Sequence, residues 1–176
     1  MVWTAPKRFL PEDTLTSHEL NIFLRDNLKE TGPAKATRPG GWLVTSGLNK
    51  VDWRYPGYSE SIPGVTTSSS TPVQLGSLPS VTVEHGGAFI VLFAAGMRKE
   101  TGTDPMHCAP FLVGQDPPTS TPQIRAITHA TAGFVRYGGF MFYYGLPAGT
   151  STVRLRHWTD AGTGYWADRV ITVLPL

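Results

Sequence analysis

The sequence predicts an all-β chain: an antiparallel, jelly-roll-like β-sandwich preceded by an extended N-terminal arm and one short α-helix. Three observations carry this. From Pro72 onward, alternating or continuous apolar runs recur between turn residues, about eight of them, at the spacing of a sandwich or jelly roll. Gly (19) and Pro (15) are plentiful and lie between those runs without a collagen-like period. No helix-period segment separates the runs, which argues against a parallel βαβ sheet.

Each element follows from local pattern. Residues 1–14 contain Pro6 and Pro11 and read as an extended arm, with Trp3, Phe9 and Leu10 as apolar side chains that must dock on something else. Residues 16–29 predict a helix. Thr16 and Glu19 form a capping box, and Leu15 with Leu20 has the spacing of a hydrophobic staple. Leu20, Phe23, Leu24 and Leu28 recur on one stripe, and Gly32-Pro33 ends the helix. So short a helix is marginal alone, so the stripe needs a packing partner. Residues 33–64 read as irregular, with strand-like pieces at Trp42–Thr45 and Val51–Trp53. The polar tract 65–72 reads as a linker or an exposed first strand edge. It divides an anchoring segment, 1–64, from a sandwich, 65–176.

Within the sandwich, Ser80–Glu84 alternates and predicts a strand with one wet face. Ala88–Ala95 is continuously apolar, as a strand covered on both sides would be. Phe111–Val113 and Gln123–Thr128 give two more strands. Phe134–Tyr144 is aromatic-rich, with Gly138-Gly139 suggesting a bulge or bend. Leu146–Gly149 is a turn, Thr152–Arg156 alternates, Thr159–Gly164 reads as a hairpin loop, and Arg169–Leu174 is a last strand.

Composition excludes several classes. Fifteen basic against thirteen acidic residues give a net charge of +2, without the clustered footprint of a nucleic-acid binder. Charged residues are 16% of the chain, low for a globular surface and suited to packing against copies of itself. Cys108 stands alone, so no intrachain disulfide forms. No apolar signal region and no apolar run of about 18 residues is present, so the expectation is synthesis in a cytoplasm and no membrane insertion.

No enzymatic constellation emerges, and no cofactor or metal is expected. His18, His85, His107, His129 and His157 show no metal-seeding spacing, and adjacent His107 and Cys108 point to opposite faces of a strand. A Cys108 nucleophile would need His85 or His129 as base, and a buried inert thiol is the better reading. A Gly-x-Ser-x-Gly elbow and a phosphate-binding glycine loop are missing, and the carboxylates are dispersed. The aromatics divide between two roles. Phe140, Phe142, Tyr143 and Tyr144 are candidates for a subunit interface, since both faces of their strand are apolar. Tyr165 and Trp166, beside a Gly-rich loop, are the candidate contacts for a surface glycan.

Two segments carry a resemblance. The first is Val2-Trp3-Thr4-Ala5-Pro6, Leu15-Thr16, Leu20-Asn21, Leu24-Arg25-Asp26-Asn27-Leu28, Glu30-Thr31 and Pro33-Ala34-Lys35-Ala36-Thr37, with Gly41 and Val44 after it. The second is Gly145–Thr150, Arg154-Leu155-Arg156 and Asp168–Leu176. Both resemble small structural proteins of tailed phages and prophages, mostly of actinobacteria; between them only the pattern matches. The resemblance implies a non-enzymatic virion component. That would be a homotrimeric capsid decoration or head-fibre protein, held to the major capsid protein through Trp3, Phe9, Leu10, Leu20, Phe23, Leu24 and Leu28. The alternative it implies is a minor tail or tail-fibre protein, partnered with a tail protein, whose lectin-like sandwich grips the host surface. The Trp42-Leu43-Val44 and Trp53-Arg54-Tyr55 aromatics depart from the family's pattern and suggest a docking partner specific to this particle.

Overall fold

The computed structural model describes residues 12, 16–22, 28, 36, 38–47, 50–76, 79–114, 126–128 and 133–176. The chain divides into two compact units, Met1–Tyr55 and Pro56–Leu176.

In the first unit, α1 (Ser17–Leu20) begins at the predicted capping box: Glu19 N–H donates to Thr16 Oγ1 (3.2 Å) and Thr16 N–H to Glu19 Oε2 (3.0 Å). Leu20 and Leu28 are exposed. Phe23 and Leu24, like the arm residues Trp3, Phe9 and Leu10, lie outside the described residues. The two strand-like pieces form an antiparallel hairpin, β1 (Trp42–Gly47) with β2 (Lys50–Arg54), in which Leu43 faces Trp53. The aromatic cluster after it is used within the unit. Arg38 stacks on the Tyr55 ring at 3.7 Å, and its N–H donates to Tyr55 Oη (3.1 Å).

The second unit is an antiparallel, jelly-roll-like sandwich. Its strands are β3 (Gly57–Ser61), β4 (Val65–Thr67), β5 (Ser80–His85), β6 (Phe89–Thr101), β7 (Met106–Leu112), β8 (Ala126–Thr128), β9 (Val135–Tyr143), β10 (Gly149–Thr159) and β11 (Thr163–Pro175). One sheet runs β5-β10-β7-β8; the other runs β3-β11-β6-β9, with β4 also paired to β11. From β4 to β11 consecutive strands lie in opposite sheets, except the paired β7 and β8, as in a jelly roll. The predicted boundary at 64/65 moves to 55/56. Ser61 pairs with Arg169 and Gly57 with Val173, so the end of the supposed connector is an edge strand of the sandwich. The polar tract carries β4, which fits the strand-edge reading over the linker.

The core lies between the sheets. Val81, Phe89, Val91, Phe93, Met97, Met106, Leu155, Trp166, Ile171 and Val173 all turn inward and are buried. Period-two alternation sends the intervening residues outward, as in β5, where alternate positions are buried and exposed. A second buried group, Ala109, Phe111 and Trp158, lies on the other side of β7 and β10, and Arg156 sits over the Phe111 ring at 5.0 Å.

Two backbone features depart from the predicted pattern. β9 pairs with β6 in unbroken register from Val135–Met97 to Tyr143–Phe89, so Gly138-Gly139 makes no bulge. A Cβ at Gly138 would lie 2.5 Å from Phe93 O, so its glycine serves close strand approach. The bulge falls instead in β11, between Ala167 and Val170, where Asp168 has φ 46°. It turns Arg169 into the interior. There the guanidinium donates to Ser61 Oγ (2.8 Å), Pro63 O (3.1 Å) and Leu75 O (3.2 Å). One buried cation thus ties β11 to the loops on either side of β4, since a buried charge must be hydrogen-bonded. Among the described residues, no helix is long and apolar enough to cross a membrane.

Candidate functional site

Among the described residues, the outer face of the β3-β11-β6-β9 sheet carries a row of exposed apolar side chains. Odd residues of β9 and β6 point into the core, so even residues point out. Phe140 lies beside Leu92 and Phe142 beside Ile90. Phe140 is 62% exposed, Phe142 49%, Leu92 43% and Tyr144, just past β9, 75%. The Phe142 and Tyr144 rings stack at 5.6 Å. Leu174 continues the row beside Ile90. The four named exposed side chains leave on the order of 400 Å² of apolar surface in water, at the scale where patches on monomers become functional. β9 is also the terminal strand of its sheet, so its outer edge has unpaired backbone groups among the described residues.

Three of the four predicted interface residues, Phe140, Phe142 and Tyr144, share this surface. Tyr143 does not. It takes the inner face, stacks on Phe89 at 4.9 Å and donates its hydroxyl to Pro110 O (3.1 Å). Burial pushes its pKa up to about 12. Its role is within the chain.

The candidate glycan pair separates in the same way. Trp166 is 0% exposed, with His157 edge-on at 5.6 Å, so it cannot stack on a sugar. Tyr165 points outward but is half-buried, with Arg98 over its ring at 4.8 Å and Phe134 edge-on at 6.2 Å.

Among the described residues, Cys108 and His85 are not brought together. His85 Nδ1 accepts from Gly87 N–H (3.1 Å), so the neutral ring carries its proton on Nε2, which lies 2.7 Å from Ser151 Oγ. That polarity makes His85 the donor, whereas a base activating a serine must accept. Cys108 is opposite His157 across β7 and β10, not beside His85; His129 lies outside the described residues. Burial pushes the Cys108 thiol up to about 12, far from the thiolate a nucleophile needs. His107 stacks on Trp158 at 4.8 Å and meets Asp160 at 2.8 Å. Among the described residues, no three His, Cys, Asp or Glu side chains converge as a metal site.

A 470 Å³ cleft is lined by Leu112–Gly114 and Leu146–Thr152. A smaller one, about 150 Å³, opens on the apolar outer face and holds charged side chains from three strands.

No family model and no curated protein matches the chain. Among solved structures, an Eiger TNF from S. frugiperda is 12% identical, with 70% of this chain and 92% of that one covered and a TM-score of 0.47. Murine APRIL at pH 5.0 is 13% identical, covering 69% and 99%, with a TM-score of 0.38. The CBM22-1-GH10 modules of a Clostridium thermocellum xylanase are 12% identical, covering 68% and 26%, with a TM-score of 0.31. Likeness at this level bears on no function, and the jelly-roll-like arrangement rests on the chain's own strand pairing.

Proposed function

We propose that this chain is a non-enzymatic virion structural protein: a homotrimeric capsid decoration or head-fibre protein whose sandwich self-associates and whose arm and helix attach it to the particle. The observation that carries self-association is the exposed row Leu92, Phe140, Phe142 and Tyr144 beside the edge of β9, which is unpaired among the described residues. Burying such a face against copies removes it from water, at roughly 25 cal/mol per Å². The assignment to a virion rests on the sequence resemblance around Leu24–Leu28 and in the last nine residues. The high thiol pKa of Cys108 and the donor role of His85 fit a non-enzymatic role. The lectin-like alternative keeps Tyr165 alone.

Light scattering should give three times the 19.1 kDa chain mass. Purified particles of the encoding phage should contain the protein, and deleting residues 1–30 should leave a soluble trimer that no longer joins them. A monomeric mass removes the trimer. Normal incorporation of the truncated chain removes the anchor.

A further inference from the structure

The 150 Å³ cleft on the outer face brings together Tyr58 and Glu60 of β3, Arg136 of β9, and Asp168 and Val170 of β11. Glu60, Val170, Ala94 and Gly138 form one row across the sheet. β6 presents only Ala94 and Gly96 between the two edges here, so the long Arg136 side chain reaches across from the far strand. Arg169 also lines the cleft, with its guanidinium turned to Ser61, Pro63 and Leu75. Tyr58 donates to Glu60 Oε2 at 2.6 Å, but among the described residues Arg136 and Asp168 form no ion pair within 4.0 Å. Asp168 holds its place at φ 46°, in the left-handed region that a short polar side chain tolerates.

We propose that Arg136 of one copy pairs with the Glu60 and Asp168 carboxylates of the next, fixing the register in which the apolar faces meet. This rests on the self-association reading above. A second copy is the fitting occupant because the surface is complementary to itself. Its cation is rooted at the β9 edge and its two carboxylates lie toward the β3 edge. The cleft holds both signs, so where the same face of two copies meets around a cyclic axis, the cation of one lies against the carboxylates of the other. A planar guanidinium can engage both carboxylates at once. The adjoining apolar row removes water and strengthens the pairing, and a wrong register leaves like charges together.

Sedimentation of the full chain over a concentration series tests this. Arg136→Glu should weaken assembly about thirtyfold or more, Glu60→Arg should do likewise, and the double exchange should recover most of the loss. Because Glu60 also holds Tyr58, unfolding of the dissociated chains is followed at high dilution. The midpoints there should match wild type. A trimeric wild type whose assembly ignores both reversals, or a double variant no better than either single one, overturns the pairing alone. So does a loss of stability in the dissociated Arg136→Glu chain that accounts for the weakened assembly. A wild type monomeric at every concentration overturns self-association and the pairing with it.

Discussion

His157 sits wholly buried, with Trp166 edge-on to its ring and the Arg169 charge nearby. Burial, then the Arg169 charge, pulls its pKa down from 6.5 to about 3. A depressed histidine stays neutral in the fold but takes up a proton in the unfolded chain. Its contribution is therefore intact above pH 6.5 and is lost as pH falls from 6.5 toward 3. At pH 5 the loss is about 2 kcal/mol. Urea unfolding at pH 7 and pH 5 should show that difference in wild type, and His157→Leu should remove it; an equal loss in the variant would place the acid sensitivity elsewhere. Trp166 and Tyr165 give a second contrast. Trp166→Ala empties a core site and should cost about 3–5 kcal/mol, whereas Tyr165→Ala strips a half-exposed ring and should cost much less. Comparable losses from the two would contradict an inward Trp166 and an outward Tyr165. The sequence could not separate this pair. Gly162 and Gly164 made the segment look like a loop, and the β11 bulge reverses which side of the strand faces inward. Gly164 is in fact inside the strand, where a Cβ would lie 2.5 Å from the Trp166 ring.

At the scale of elements, period-two alternation located strands well because burial on one face imposes it. Ser80–Glu84 and Thr152–Arg156 both fall in strands of the same sheet. It could not say how far they extend or what they pair with. β6 runs on to Thr101 through Arg98, Lys99 and Glu100, where apolarity has ceased. Lys99 turns inward there and donates to Thr159 Oγ1 and Ala161 O, which satisfies its buried ammonium. β3, in the sequence Gly57-Tyr-Ser-Glu-Ser61, is too polar to announce itself; only its pairing with β11 makes it a strand. β9 was legible as an aromatic strand, yet its glycine pair was misread because a close approach between strands leaves the same mark as a bend. Gly138→Ala places its Cβ against Phe93 O and should cost about 1–3 kcal/mol through the β6–β9 pairing. Hydrogen exchange should then speed in β6 and β9 before the β5-β10 pair. Uniform loss of protection would show that β9 does not give way first.

At the scale of the molecule, the all-β class follows from composition and turn spacing, but the strand order joins residues far apart in sequence, such as β3 with β11 and β5 with β10. No local pattern encodes such pairings. The consequence for function is that the outer face of one sheet gathers Tyr58, Leu92, Phe140 and Leu174 from four strands. Only the β9 share of that surface is legible in the sequence. If copies bury this face, association and folding are thermodynamically linked, since the assembled state exists only for folded chains. The thermal midpoint of wild type should then rise with protein concentration. Phe140→Ser with Phe142→Ser removes exposed rings without touching the core, so at low concentration the variant should melt close to the wild-type chain. Its midpoint should no longer climb with concentration, and light scattering should find it monomeric. A wild-type midpoint that is flat with concentration, or a serine variant that still climbs, would mean that some other surface, or none, joins the copies.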